Sequence, residues 1–337
     1  MKFIVKIFIL LYTVNCFAQE DPVAQQYIVN KFLLNPAIAG YSQCDELRIT
    51  HRQQWVGMNK GPMTPVVSYH ARVWQGLGIG GYVYSDRNGL SNKAGGNLSL
   101  AYHIKLNRGR EVSHQLSFGL SFYGYSAGTN ISEFTNFNVS PSGQTLTTDD
   151  PTAMSASRYL MIPGANTGVY YMFNKFFFGA SVFNLVKNFV GLSDVKNADS
   201  QYEPYLPRTY YVTSGYFFSL SSMWGFEPSL VFKLDQNSRK QIDFNTRVFY
   251  QTKSDEYIWF GLSLRSNIST PSLQCMPMVG LRKGDLFGAL TYDLGFNSIQ
   301  RYNYGSVGVM VGWNLCRGKR IEKAPCPAFK DRLMYKK

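Results

Sequence analysis

The chain has 337 residues, length enough for two or three soluble domains, but no composition shift or linker divides it, so one large domain is expected. Only 16% of residues are charged while 15% are aromatic, a poor balance for a domain surrounded by water. The formal charge of +13 favours acidic partners or anionic lipid, and the absence of any run of about 18–20 apolar residues excludes a membrane-spanning helix.

The N-terminus reads as an export signal, residues 1–18. Lys2 opens it, Phe3 to Tyr12 forms a short apolar stretch interrupted by Lys6, and Cys16-Phe17-Ala18 places small residues before a cleavage site. The rival is a lipoprotein anchored through Cys16, for which Thr13-Val14-Asn15 is a poor recognition sequence. Export argues against nucleic acid as a partner. Residues 19–45 form a periplasmic or lumenal segment. Its Tyr27-Ile28-Val29 and Phe32-Leu33-Leu34-Asn35-Pro36 are too apolar for a free tail. They should pack against the strand region or inside it.

Fourteen strands are predicted from there. The first five are Glu46–Val56, Thr64–Trp74, Leu77–Ser85, Lys93–Leu106 and Ser113–Tyr125. Then come Thr167–Phe173, Phe176–Phe183, Arg208–Leu220, Gly225–Leu234 and Lys240–Gln251. Glu256–Ser266, Leu273–Arg282, Asp285–Asp293 and Tyr304–Leu315 complete the set. Apolar and polar residues alternate along them. Ile242, Phe244, Val248 and Tyr250 point one way, and Asp243, Asn245 and Arg247 the other. Ile258, Phe260, Leu262 and Leu264 oppose Gly261, Ser263 and Arg265 in the same manner. His51 and Gln53 interrupt the apolar side of the first strand, and Pro228 in the ninth suggests a bulge or an unpaired position.

A soluble β-sandwich would alternate in the same way. Three features favour a membrane. Strands of this length suit a tilted crossing. Tight joints, such as Trp74-Gln75-Gly76, Asn174-Lys175 and Lys283-Gly284, alternate with longer links. Aromatics (Trp55, Trp74, Tyr84, Trp224, Tyr250, Trp313) gather near strand ends, where interfacial girdles lie. The expected fold is therefore all-β: a transmembrane outer-membrane β-barrel over residues 46–315, about 14 antiparallel strands, with short periplasmic turns and longer extracellular loops. Its apolar faces would meet outer-membrane lipid. The two longest loops are placed at Ser126 to Asn166 and Leu185 to Pro207.

A barrel of fourteen strands has a lumen wider than side chains alone fill. The inward set includes Arg72, Lys105, Glu227, Lys233, Asp243, Arg247, Arg265 and Arg282. It reads equally as a polar pathway or docking surface and as a self-satisfied ion-pair network. Asn245 should face water there and tolerate Arg. Residues 316–337 form a basic periplasmic tail with eight Lys or Arg and two acids. The mature chain keeps Cys44, Cys275, Cys316 and Cys326, and a bridge between Cys316 and Cys326 is plausible from their proximity in sequence, although spacing leaves the pairing open.

No catalytic, cofactor-binding or metal site is expected. The four histidines, His51, His70, His103 and His114, form no His-Glu-x-x-His pair, and no serine sits in a Gly-x-Ser-x-Gly elbow. Gly76-Leu77-Gly78-Ile79-Gly80-Gly81 has neither the Lys-Ser nor the helix of a phosphate loop.

Several short motifs together carry a resemblance. They are Gln25-Gln26-Tyr27, Leu34-Asn35-Pro36-Ala37-Ile38-Ala39-Gly40, Arg52-Gln53-Gln54-Trp55-Val56-Gly57, Ser85-Asp86-Arg87-Asn88-Gly89 and the closing Cys326-Pro327-Ala328-Phe329. In this order the chain resembles the PorP/SprF family of outer-membrane proteins of the Bacteroidetes type IX secretion system. The resemblance implies structural or partner roles for Asn35, Pro36, Arg52, Gln54, Trp55, Cys326, Pro327 and Phe329. It also implies a non-enzymatic secretion component, linked to gliding motility, that docks, helps export or anchors a large secreted adhesin with a type B C-terminal domain. Periplasmic contacts with the system's ring or peptidoglycan-binding components are implied as well. A passive channel or hydrophobic-solute transporter is the runner-up, and a barrel enzyme using His103 comes third.

Overall fold

A computed structural model of the chain describes residues 23–42, 44–89, 91–106, 114–129, 160–186, 206–253, 256–269, 272–296 and 303–315. Residues 1–22 with Cys16, the tail with Cys316, Cys326, Pro327 and Phe329, and most of the two longest loops lie outside these residues.

Three short 3-10 turns, Ala24–Gln26, Lys31–Leu34 and Pro36–Ile38, precede the strands. The first half of the sheet is β1 (Asp45–Gln53), β2 (Met63–Arg72), β3 (Leu77–Asn88), β4 (Ser91–Lys105), β5 (His114–Thr129), β6 (Leu160–Phe173) and β7 (Phe176–Phe183). The second half is β8 (Thr209–Tyr216), β9 (Phe218–Ser219), β10 (Trp224–Asp235), β11 (Lys240–Lys253), β12 (Glu256–Asn267), β13 (Ser272–Lys283), β14 (Leu286–Gly295) and β15 (Ser306–Leu315). β8 and β9 are two pieces of one crossing, so fifteen strands make fourteen crossings. Each pairs antiparallel with its sequence neighbour, and β1 pairs with β15 from Asp45↔Leu315 to Gln53↔Val307. The sheet closes into a barrel and leaves no open edge.

The break between β8 and β9 has a local cause. Pairing to β10 lapses opposite Glu227 and Pro228, resuming at Ser229↔Gly215 on one side and Phe226↔Phe218 on the other. Proline has no N–H to offer a second ladder. On its other side Pro228 stays in register with Thr246. Phe217, released at the break, turns into the interior and is fully buried. The unpaired position that Pro228 suggests in the sequence is thus where the ladder fails.

Burial follows the two-residue period. On β12, Ile258, Phe260, Leu262 and Leu264 are exposed, whereas Trp259, Ser263 and Arg265 are buried. The exposed side is apolar and the buried side mixed, the inverse of a soluble sandwich. The Trp224 and Tyr250 rings lie 4.8 Å apart, tilted at 47°, on the outer surface near the short turns, as a girdle requires. Tyr84 does not join the girdle. It faces inward and packs against the cluster of Val23, Leu33 and Val66.

Two features differ from the sequence reading. β5 continues to Thr129 and β6 begins at Leu160, so the predicted long loop contracts to residues 130–159. Asn166, placed at the end of the predicted loop, instead faces Ser121 inside the barrel and donates to its hydroxyl at 3.2 Å. The joint between β3 and β4, on the side of the longer links, is also only residues 89–90, with Gly89 at φ +60°. Loop length therefore does not alternate strictly, because these two strands extend past the apolar band.

Candidate functional site

The lumen is filled by the segment that precedes β1. Its course is set by polar groups on nearly every side of the wall. Gln26 donates to the Thr64 carbonyl at 3.0 Å, and Asn30 to Ser68 Oγ at 2.7 Å. Asn35 donates to the Val169 carbonyl at 2.9 Å while its own side-chain oxygen accepts from Ala37 N, capping the third turn, which Pro36 starts. Ser181 donates to the Leu34 carbonyl at 2.5 Å. Arg72 Nε donates to the Gly40 carbonyl at 2.8 Å. A 3-10 turn leaves backbone carbonyls and amides without partners, and inside the barrel several of these are satisfied by the wall.

The wall is shaped to receive this plug. A Cβ on Gly119 would lie 2.1 Å from Ala37 N, and one on Gly78 would lie 2.0 Å from the Ala39 carbonyl oxygen. These glycines mark close approach of backbone to backbone. The plug runs from Val23 and Gln26, beside Val66 and Thr64 near the loop end of β2, to Gly40, beside Arg72 at its short-turn end. It enters β1 directly from there.

The charged residues of the wall form two cross-strand pairs that engage the plug. Asp243 and Arg265 face each other on β11 and β12, with Arg265 Nη2 3.1 Å from Asp243 Oδ2. The Tyr27 hydroxyl donates to the same carboxylate at 2.7 Å. Burial, and then the Asp243 charge, raise the Tyr27 hydroxyl above its ordinary value, so it remains a donor. Glu227 and Arg247 face each other on β10 and β11 at 2.5 Å, and Lys31 of the plug reaches the same Glu227 oxygen at 3.0 Å. Both carboxylates are shared between wall and plug, so neither charge lies uncompensated in the low-dielectric interior.

Of the other expected residues, Arg52 is buried and pairs with Asp293. Gln54 N donates to the Pro62 carbonyl at 2.7 Å, and Trp55 stands exposed in the loop after β1. Lys233 is half-buried and Lys105 is exposed beyond the lumen. Arg282 is half-buried at the short-turn end, where its Nε donates to the Gly284 carbonyl at 3.0 Å. Cys44, at the foot of β1, is disulfide-bonded, and Cys275 is free.

The histidines are distributed by their contacts. His103 Nε2 donates to the Ala39 carbonyl at 2.9 Å, and its Nδ1 is 2.8 Å from the Ser117 hydroxyl. Ser117 is wholly buried on the neighbouring strand, and the bond from His103 to Ala39 ties wall to plug. His70 stacks edge-on against Phe32 at 5.1 Å, His114 lies against Phe173, and His51 is exposed.

Sequence reading missed the inward aromatics. Tyr211, Phe217, Phe249 and Trp259 are buried in one apolar cluster with Tyr27, Ile28 and Leu34 of the plug. Their signal was present: each interrupts the polar side of its strand. Arg247 lies 5.6 Å above the Trp259 ring, joining the charged pairs to the cluster. The two cavities described beside the plug measure about 20 Å³ and 30 Å³, room for a water or two.

The chain is similar to the CymD monoaromatic hydrocarbon channel (10% identity, TM-score 0.46, covering 87% of this chain and 91% of that one). It is also similar to the KdgM porin (9% identity, TM-score 0.36, covering 80% and 99%). The outer membrane phospholipase A from Escherichia coli is another such structure (11% identity, TM-score 0.36, covering 84% and 99%). At these identities and TM-scores the likeness carries no argument about what this chain does. No curated protein sequence matches the chain. A family model described as type IX secretion system membrane protein PorP/SprF matches residues 16–313. A closed outer-membrane barrel whose plug and wall motifs all fall within that match belongs to the PorP/SprF family of type IX secretion membrane proteins.

Proposed function

We propose that this barrel is a plugged, non-enzymatic docking component that helps export or anchor a large surface adhesin with a type B C-terminal domain. In this reading it serves gliding motility in a Bacteroidetes outer membrane, which it reaches after cleavage of its signal sequence behind Ala18. The observation that carries the reading is the filled lumen. Plug residues from Gln26 to Gly40 bond to β2, β4, β6, β7, β10 and β11, and two buried wall carboxylates, Glu227 and Asp243, are shared with them. A barrel so filled offers its partners rims and loops and no conduit for solutes. The basic tail of residues 316–337 would then meet the acidic groups of periplasmic ring or peptidoglycan-binding partners.

Purification from native membranes followed by mass spectrometry tests this reading. The adhesin should co-purify with the full chain, and deleting residues 317–337 should leave the barrel inserted but lose the periplasmic proteins. Unchanged recovery of those proteins rejects the role of the tail, and absence of any surface adhesin rejects the docking role. Conductance in planar bilayers decides against the passive channel. The full chain should show no steady current, whereas a variant lacking residues 24–40 should conduct. Steady current from the full chain would favour the channel.

A further inference from the structure

The outer surface of the barrel carries a cleft that neither the plug nor the family role uses. It measures about 660 Å³ and lies between the loop that joins β1 to β2 and the hairpin of β3 and β4. Gln53, Met63, Lys60, Arg87, Asn92 and Lys93 contribute to its lining, and among the described residues none that lines it is acidic. Asp86, the nearest carboxylate in sequence, faces the other way and accepts from Thr64 Oγ1 at 2.7 Å inside the barrel. Lys93 stands opposite Asp86 in the β3–β4 register, so Lys60 and Arg87 supply the charge on the outer side.

Position along the strand defines what meets this cleft. The outward row of β3 runs Leu77, Ile79, Gly81, Val83, Ser85 and Arg87. Its apolar members are exposed, up to 60% at Val83, and the row turns polar at Ser85. On β4 the matching row descends from Asn92 and Ala94 to the exposed Leu98, Leu100 and Tyr102. The cleft thus opens sideways, directly above the hydrocarbon band on the side of the longer loops. Exposed Trp55 and Met58 flank it on the β1–β2 loop, an amphipathic setting typical of the interface.

The cleft is also held open. The loop enters with Trp55 at φ +51° and leaves with Lys60 at φ +60°, conformations that need support in residues other than glycine. Support comes from Gln54 N to the Pro62 carbonyl at 2.7 Å and from Gln53 Nε2 to the Gly61 carbonyl at 3.1 Å. Val56 N donates to the Gly305 carbonyl at 2.9 Å and Tyr304 N to the Val56 carbonyl at 2.8 Å, tying the loop to the next one. A preorganised basic recess spends less of its binding energy on ordering itself.

We propose that this recess binds the phosphate of an outer-leaflet glycolipid of the lipid A type, seating one lipid against the β1–β4 flank of the barrel. Its acyl chains lie along Val83, Leu98 and Leu100, and its phosphate sits between Lys60 and Arg87. An acidic peptide would have to reach this recess from the side, at the membrane surface, where lipid headgroups already stand.

The test uses the full chain purified in mild detergent and titrated with monophosphorylated lipid A, with bound lipid read by native mass spectrometry. Wild type should bind one lipid. Replacing both basic groups, Lys60→Ala with Arg87→Ala, should weaken binding roughly thirtyfold. The conservative pair Lys60→Arg with Arg87→Lys should retain most of it, and Lys283→Ala at the opposite rim should leave it unchanged. Phosphatase-treated lipid should bind no better to wild type than to the double variant. Heat-dependent migration on gels, the same for every variant, shows that each barrel is folded. The proposal is overturned if the double variant binds lipid A as wild type does, or if removing the phosphate makes no difference. It is likewise overturned if an acidic peptide displaces the lipid at lower concentration than the lipid itself binds.

Discussion

The side chains that decide this barrel are inward ones shared between wall and plug. Asp243 accepts from Arg265, from Gln241 and from Tyr27, three donors on two strands and the plug. Asp243→Ala strands the Arg265 guanidinium in a buried site, which should cost about 3–5 kcal/mol. Urea unfolding of the detergent-solubilised protein measures this, and a loss below about 1 kcal/mol would show the pair to be solvated, as exposed pairs are. Neighbouring positions on β11 should respond in opposite environments. Phe244 is exposed on the outer face, and Phe244→Arg near the bilayer midplane should cost about 2–4 kcal/mol. Strand alternation alone has Asn245 facing water and accepting Arg at little cost, but it is buried, and its amide donates to the Tyr27 hydroxyl at 3.2 Å. Asn245→Arg should therefore also destabilise, by about 1–3 kcal/mol from overpacking alone. Restored stability in the double variant Asn245→Arg with Tyr27→Ala would identify the plug as what the new side chain strikes.

Among the elements, the plug and the glycine-bearing wall are complementary. Residues 23–42 have no regular secondary structure beyond three short turns, so their own backbone bonds cannot hold them. They are held because β2, β4, β6, β7, β10 and β11 each contribute a contact, and because Gly78 and Gly119 leave the space that Ala39 and Ala37 occupy. Gly119→Val should expel the third turn without breaking the β4–β5 or β5–β6 ladders. The expected readout is protease cleavage within residues 31–40 while the barrel stays heat-stable on gels. If those residues stay protected, the plug does not depend on this contact. The interrupted crossing of β8 and β9 obeys the same logic. Pro228 withdraws one donor, the adjacent strand loses its pairing, and Phe217 fills the interior. A residue that looks like a defect in a strand supplies the apolar cluster with one of its central rings.

For the whole molecule, solvent is inverted on one surface only. The outward rows are apolar over most of their length, and the inward rows combine charged pairs with an aromatic cluster. The protein should accordingly require detergent. Sedimentation in plain buffer is expected to show aggregates, and a folded monomer without detergent would refute the membrane assignment. Among the described residues the inside is occupied by the plug and by an apolar cluster that joins it to the wall, which distinguishes this barrel from one built around water.

What the sequence determined by itself was the membrane barrel: fourteen crossings, the facing of most of their side chains, and tight turns such as Asn174-Lys175 and Lys283-Gly284. Those properties are local. A strand's two faces alternate residue by residue, and a solvent boundary on each face writes itself into the order of side chains. Family membership was equally legible, since short motifs in a given order survive without any knowledge of contacts. The destination of residues 23–42 was not. Their composition excluded a free tail, yet being inside or beside the barrel are equally apolar outcomes. Only closure of the sheet brought Tyr27 to Asp243, 216 positions away, and gave Lys31 its carboxylate. The same closure decided whether inward charges lined water or bonded to a plug. Spacing along one chain cannot encode that choice, because it depends on which strands stand across the lumen from one another.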